Sequence, residues 1–229
     1  MTTAPARRPR LAIALDFPDL DTAATFAKRV DDAFDIAKIG LELWSAAGPE
    51  AVECIQQLGY DVFLDLKLHD IPTTVGRAAR VLGRLGVRYC NFHAAGGEAM
   101  LRAAVEGLTE GAREASLPPP VPLAVTVLTS DPDASAFDAR LAAAIASGCS
   151  GVVCSLHEIE RVKRAREDFV TVVPGTRIEG GDVHDQARTG TPFDAARRGA
   201  DVIVIGRTVT HADDPEGVAR SIARTIAIG

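Results

Sequence analysis

The stretch Phe63-Leu-Asp-Leu-Lys-Leu-His-Asp-Ile-Pro holds two carboxylates and one amine between Asp65 and Asp70. If it runs as a strand, side chains alternate across it, so Asp65 and Lys67 share one face while Leu64, Leu66 and Leu68 share the other. Turned into a protein interior, such a pair costs several kcal/mol per ion before its attraction is counted. It is a poor device for stability and therefore points to chemistry. Asp70 follows just past the expected strand end, and Pro72 suits the first turn of the next helix. Lys38 ends another apolar run and stands beside Asp65 if the two runs are neighbouring strands. The expected array alternates in sign: Lys38, Asp65, Lys67, Asp70. Nearby anions favour the charged form of Lys67, which makes it a positioned proton donor in a confined site.

A second cluster lies toward the other end of the chain. Pro174-Gly-Thr-Arg-Ile-Glu-Gly-Gly and Gly206-Arg-Thr combine glycines with Arg177 and Arg207. Gly180, Gly181 and Gly206 permit close backbone approach, and the arginine forks match phosphate oxygens. A monophosphorylated substrate is the expectation.

The elements that must position these residues follow a regular pattern. Eight short, β-branched-rich runs, at 11–16, 35–40, 61–67, 87–93, 121–127, 151–155, 170–175 and 201–207, alternate with segments of helical periodicity. The helical segments are 20–30, 48–58, 73–85, 98–115, 138–147, 156–167, 192–198 and 215–228. Continuously apolar strands imply burial on both faces, hence a parallel sheet covered by helices. Eight such units in 229 residues predict an α/β fold, a single-domain (β/α)8 TIM barrel over residues 11–229 with a solvated tail at 1–10. Polar residues fall where the strands end, at Asp16, Lys38, Asp65, Lys67, His93, Thr126, Ser155, Arg177 and Arg207. The C-terminal rim is where barrel active sites form.

Composition excludes several classes. At 47% hydrophobic and 24% charged residues the chain is neither disordered nor fibrous. A net charge of −6 without a run of Lys and Arg lacks the footprint for binding nucleic acid. No apolar stretch approaches the roughly 20 residues of a membrane span. The phosphate-cradling motifs G-x-G-x-x-G after the first strand and G-x-x-x-x-G-K-[ST] are both missing. Cys54, Cys90, Cys149 and Cys154 show no metal-ligand spacing and read as reduced thiols, which suits the cytoplasm. His93 reads as a hydrogen-bonded barrel histidine. His69 is assigned with Leu66 and Leu68 to the barrel exterior, Trp44 and Tyr60 to core or interface, and the charges from Glu158 to Arg164 to a solvated helix face.

With these residues in hand, the sequence resembles the orotidine 5′-phosphate decarboxylase family from Ala14-Leu-Asp to Ile205-Gly-Arg, and Asp65-Leu-Lys-Leu-His-Asp-Ile-Pro matches its D-x-K-x-x-D-I-P motif. The resemblance implies cofactor-independent, metal-free decarboxylation of orotidine 5′-phosphate to UMP and CO2, the last step of pyrimidine (UMP) biosynthesis. It implies Lys67 as the proton donor and Asp65 facing the substrate carboxylate. It implies ribose contacts from Asp16 and Lys38, a hydroxyl from Thr129 near the pyrimidine, and a phosphate grip from Arg177, Gln186, Arg207 and the Gly206 amide. It further implies a homodimer in which Asp70 and Thr74 reach the neighbour's site. The phosphate lid departs from the family pattern at Thr176, Ile178, Glu179 and His184. Two other readings stay open: an Mg2+-dependent keto-sugar-phosphate decarboxylase of the same suprafamily, and a non-catalytic nucleotide-binding paralogue.

Overall fold

The computed structural model describes residues 8–128, 134–175 and 190–227. Eight parallel strands close a barrel in chain order: β1 (Arg10–Ala14), β2 (Ile36–Ile39), β3 (Asp61–Leu68), β4 (Tyr89–His93), β5 (Val121–Val125), β6 (Gly151–Val153), β7 (Val170–Val173) and β8 (Val202–Ile205). Around it lie α1 (Leu20–Arg29), α2 (Leu41–Ala47), α3 (Pro49–Gln57), α4 (Pro72–Gly83), α5 (Gly97–Glu114), α6 (Phe137–Ala146), α7 (Ile159–Ala165), α8 (Pro192–Arg197), α9 (Arg207–Thr210) and α10 (Pro215–Ala227). The predicted (β/α)8 order holds for all eight units.

The period-two alternation of the strands sorts side chains into two layers. Ala12, Ala14, Ile36, Phe63, Tyr89, Leu123, Val125, Val153, Val172, Val202 and Val204 fill the barrel interior. Leu11, Ile13, Ala37, Ile39, Val62, Leu64, Cys90, Phe92, Ala124 and Ile203 pack outward under the helices. Lys38 follows Ile36, and Asp65 follows Phe63, in the inward files. The sheet register thus carries both ions from the packed interior up to its open end.

Polar pairs also close the opposite, N-terminal end. There Arg10 pairs with Asp61 (2.7 Å) and donates to the Tyr89 hydroxyl (3.4 Å), and Asp201 accepts from Thr171 N–H (2.7 Å) and Lys163 Nζ (2.7 Å). Polar groups at this end serve stability, and the C-terminal end is left for chemistry.

Several elements differ from the sequence expectation. The run after β2 forms two helices, because Gly48 at φ +54 breaks α2 and Pro49 opens α3. Strand β8 stops at Ile205, and Arg207 begins α9 instead of ending the strand. His69 does not pack in the outer layer: it is exposed, and its ring stacks on His93 at 5.3 Å. Tyr60 is buried and donates to the Ala27 carbonyl (2.8 Å), as its core assignment required.

Candidate active site

The site grows out of β1, β2 and β3. Lys38 Nζ lies 3.1 Å from Asp16 Oδ1 and 3.4 Å from Asp65 Oδ2, and Lys67 Nζ lies 2.6 Å from Asp65 Oδ1. The observed array is therefore Asp16, Lys38, Asp65, Lys67. The side chains of Lys38 and Asp65 are only 10% and 14% exposed, whereas Lys67 is at 35% and Asp16 at 57%. The inner pair is little screened by water, and the outer members open toward an incoming ligand. Gly40 makes room for it: a Cβ there would lie 2.7 Å from Asp16 Oδ1 and 3.1 Å from Lys38 Nζ.

Burial alone would push the Asp65 carboxyl up. The Lys38 and Lys67 charges, with hydrogen bonds from Lys67 and Asn91, outweigh it and hold the carboxyl below the usual carboxylate range. Asp65 is thus kept ionised where it grips the Lys67 ammonium.

Two features of β3 aim that ammonium. Pairing with β4 shifts between Leu64 opposite Cys90 and Leu68 opposite Phe92, and Lys67 takes a left-handed backbone at φ +49. A lysine in that region is strained. Asn91, fully buried on β4, spans the irregularity: its Nδ2 donates to Asp65 Oδ1 (2.6 Å) and its Oδ1 accepts from Lys67 N–H (2.7 Å). The sequence reading passed over Asn91, although it sits two residues beyond inward-facing Tyr89.

A cavity of about 290 Å3 opens above the array. Asp16, Lys38, Asp65 and Lys67 line it together with Gly206, Arg207 and Thr208, so residues far apart in sequence meet in one space. The remaining lining is largely apolar, including Val125, Val127 and Val153. A small ligand with one anionic end and one apolar part fits this division. Among the described residues no three His, Cys, Asp or Glu side chains come together to hold a metal ion.

Other predicted residues fall elsewhere. Asp70 is exposed past β3, its carboxylate accepting from Ile71 N–H (2.6 Å), and among the described ion pairs of this chain it has none with Lys67. Thr74 is exposed on the first turn of α4. Among the described residues of one chain, Lys67 is therefore held by Asp65 alone and not between two carboxylates. His93 Nδ1 accepts from Ala95 N–H (3.2 Å), and Thr126 is buried with its hydroxyl donating to the Val153 carbonyl (3.0 Å), so both brace the rim. Thr129, Arg177 and Gln186, with the lid positions 176, 178, 179 and 184, lie outside the described residues.

Residues 9–222 match the family described as "Orotidine 5'-phosphate decarboxylase / HUMPS family". The chain belongs to this family. It is 47% identical over 224 residues to an orotidine 5′-phosphate decarboxylase of Streptococcus thermophilus, covering 91% of this chain and 94% of that one. It is 46% identical over 228 residues to its counterpart from an Anaeromyxobacter species, covering 93% and 96%. Among solved structures, the Lactobacillus acidophilus orotidine 5′-phosphate decarboxylase superposes with a TM-score of 0.81 at 32% identity, covering 96% of this chain and 99% of that one. The family assignment agrees with a barrel whose charged groups gather at the C-terminal mouth. No helix among the described residues is long and apolar enough to cross a membrane.

Proposed function

We propose that this protein decarboxylates orotidine 5′-phosphate to UMP and CO2 at the barrel mouth, without a cofactor, as the last step of pyrimidine nucleotide synthesis. One observation carries the reading: an ammonium, Lys67, held 2.6 Å from a buried carboxylate in a cavity that also reaches Gly206 and Arg207. Breaking the bond between C6 and the carboxylate leaves an electron pair on C6 that the pyrimidine ring delocalises poorly. The protein must then stabilise that charge electrostatically.

At about 4 Å and an effective dielectric near 20, one charge pair contributes roughly 4 kcal/mol. Lys67 stabilises the developing carbanion and transfers its proton to C6, and solvent later reprotonates the amine. Asp65, close to the departing carboxylate, disfavours the bound substrate more than the transition state, from which CO2 leaves as a neutral molecule. Both effects act on the difference between states, which is what raises the rate. In this reading Asp16 and Lys38 hold the ribose hydroxyls and Thr129 faces the base. The Gly206 amide, Arg207, Arg177 and Gln186 bind the phosphate, and Asp70 and Thr74 act across a homodimer. The unpaired thiols of Cys90, Cys149 and Cys154 support a reducing, cytoplasmic setting.

The test follows the ultraviolet absorbance of orotidylate with and without EDTA. Turnover that persists in EDTA is expected, and turnover lost to EDTA favours the metal-dependent sugar-phosphate alternative. Lys67→Ala should lower kcat by orders of magnitude, whereas Arg207→Ala should mainly raise KM. Near-normal turnover by purified Lys67→Ala would overturn the proton-donor role.

A further inference from the structure

Asn91 is the one polar side chain in the inward file of β4 between Tyr89 and the rim. It has no exposed surface, and it does not line the cavity. Neither half of its amide is idle. Across the irregularity in β3, the residues Asp65, Leu66 and Lys67 stand opposite the single residue Asn91, because the flanking partners are Leu64 with Cys90 and Leu68 with Phe92. Such a bulge takes the Lys67 N–H off the sheet ladder, and a buried N–H needs a replacement acceptor. Asn91 Oδ1 supplies it at 2.7 Å. The Nδ2 group, one bond away, donates to Asp65 Oδ1 at 2.6 Å, the same oxygen that holds Lys67 Nζ.

We propose that Asn91 is a positioning residue for the decarboxylation: one amide fixes both the left-handed backbone from which Lys67 projects and the carboxylate oxygen that receives its ammonium. The inference rests on the orotidylate reading for its substrate. Side-chain length supports it. With one methylene, asparagine spans from the β4 backbone to both partners, and glutamine would carry the amide past them. Asp65 then cannot turn about its side chain without losing Asn91 on one oxygen and Lys38 on the other, which lies 3.4 Å away. The proton donor is therefore set from below, by a group that never meets the substrate.

Asn91→Ala and Asn91→Asp test this, with kcat and KM measured across a pH series and UMP binding followed by calorimetry. Misplacing a reacting group by about 1 Å costs about 100-fold in rate, so Asn91→Ala is expected to lose kcat on that scale with KM and UMP affinity little changed. Asn91→Asp keeps the size and the acceptor for Lys67 N–H but replaces the donor by a second carboxylate beside Asp65. Two such carboxylates take up one shared proton above their ordinary range. The protonated pair has the net charge of the native site and restores the hydrogen bond. Position 91 bonds Asp65 and Lys67 of β3, Lys38 of β2 pairs with the other oxygen of Asp65, and Leu123, opposite on β5, carries no charge.

The kcat of Asn91→Asp relative to wild type should therefore climb as pH falls, which a merely loosened core would not produce. Wild-type kcat in folded Asn91→Ala, or a pH-independent Asn91→Asp defect, would overturn the proposal. Should wild type itself leave orotidylate unchanged, the functional reading falls instead. A crystal structure of Asn91→Asp then decides the positioning role alone, by whether Lys67 keeps its left-handed backbone and its contact to Asp65 at low and neutral pH.

Discussion

A buried carboxylate flanked by two amines makes the stability of this protein depend on pH in a definite direction. Asp65 has a folded-state pKa below its unfolded value, with desolvation opposed chiefly by the Lys38 charge. Its contribution is therefore present above the unfolded carboxyl pKa, about 3.9, and lost as pH falls through the folded value. Lys38→Met removes the first of the opposing charges. At neutral pH the loss should be less than the roughly 3–5 kcal/mol of a wholly unpaired buried charge, because Lys67 remains. Thermal unfolding at a series of pH values is expected to show the gap between wild type and Lys38→Met widest near neutrality and fully closed only below about pH 4, once the pH has fallen through the lowered folded-state value of Asp65. A gap that stays constant contradicts the coupling. At this scale alternation was informative inside the strands, where Lys38, Asp65 and Lys67 met as their parity required, and failed for His69, which lies just past the end of β3. The link from Lys38 to Asp16 came from β1 ending early enough to let Asp16 bend over Gly40. Asn91 was readable only as a polar break in Tyr89-Cys-Asn-Phe-His, in phase with inward Tyr89, and its two partners depend on a bulge that no pattern in β3 announces.

Strands and helices were legible for the same reason that single residues were, since two-residue and 3.6-residue periods survive in the sequence. What broke them were local backbone events. Gly48 ends α2, a helix over Leu41–Ala47 that the periodicity did not announce, before α3 takes up the predicted 48–58 segment, and Gly206 ends β8 before Arg207. Other glycines are used for closeness between helices. Of the helix pairs, α4 and α5 make the most intimate contact, and a Cβ on Gly111 would sit against the Arg80 carbonyl oxygen, as one on Gly107 would against that of Gly76. These backbones touch directly, so added methyl groups must push the helices apart. Gly111→Ala is expected to cost about 1–3 kcal/mol through overpacking, partly offset by the better helix propensity of alanine. Denaturant unfolding measures the loss, and the kcat of the folded fraction should remain that of wild type because neither helix face reaches the cavity. A more stable Gly111→Ala would mean the helix contact is looser than its geometry.

On the scale of the whole molecule, the Lys67 site is incomplete within one chain if the array requires a second carboxylate. Asp70 lies past the end of β3, in an exposed segment with Ile71, Pro72, Thr73 and Thr74, and Ile71 is 65% exposed. Among the described residues, Leu41 after β2 (59%) and Leu128 after β5 (40%) are the other large apolar side chains exposed on loops or helix starts at the same C-terminal rim. An apolar rim bearing a carboxylate suits a second copy of the chain, arranged about a two-fold axis so that each copy gives what it receives. A shared site has a consequence that a self-contained one lacks. Lys67→Ala chains and Asp70→Asn chains should each be nearly inactive alone. In a hybrid, the site with native Lys67 receives native Asp70 from the partner, and the other site lacks both. Random exchange at equal concentrations makes half the dimers hybrid, so the mixture should recover about a quarter of the wild-type rate. If Asp70 instead served its own chain, every site in the mixture would carry one defect. Exchange confirmed by mass spectrometry with no recovered turnover would then restrict the site to a single barrel.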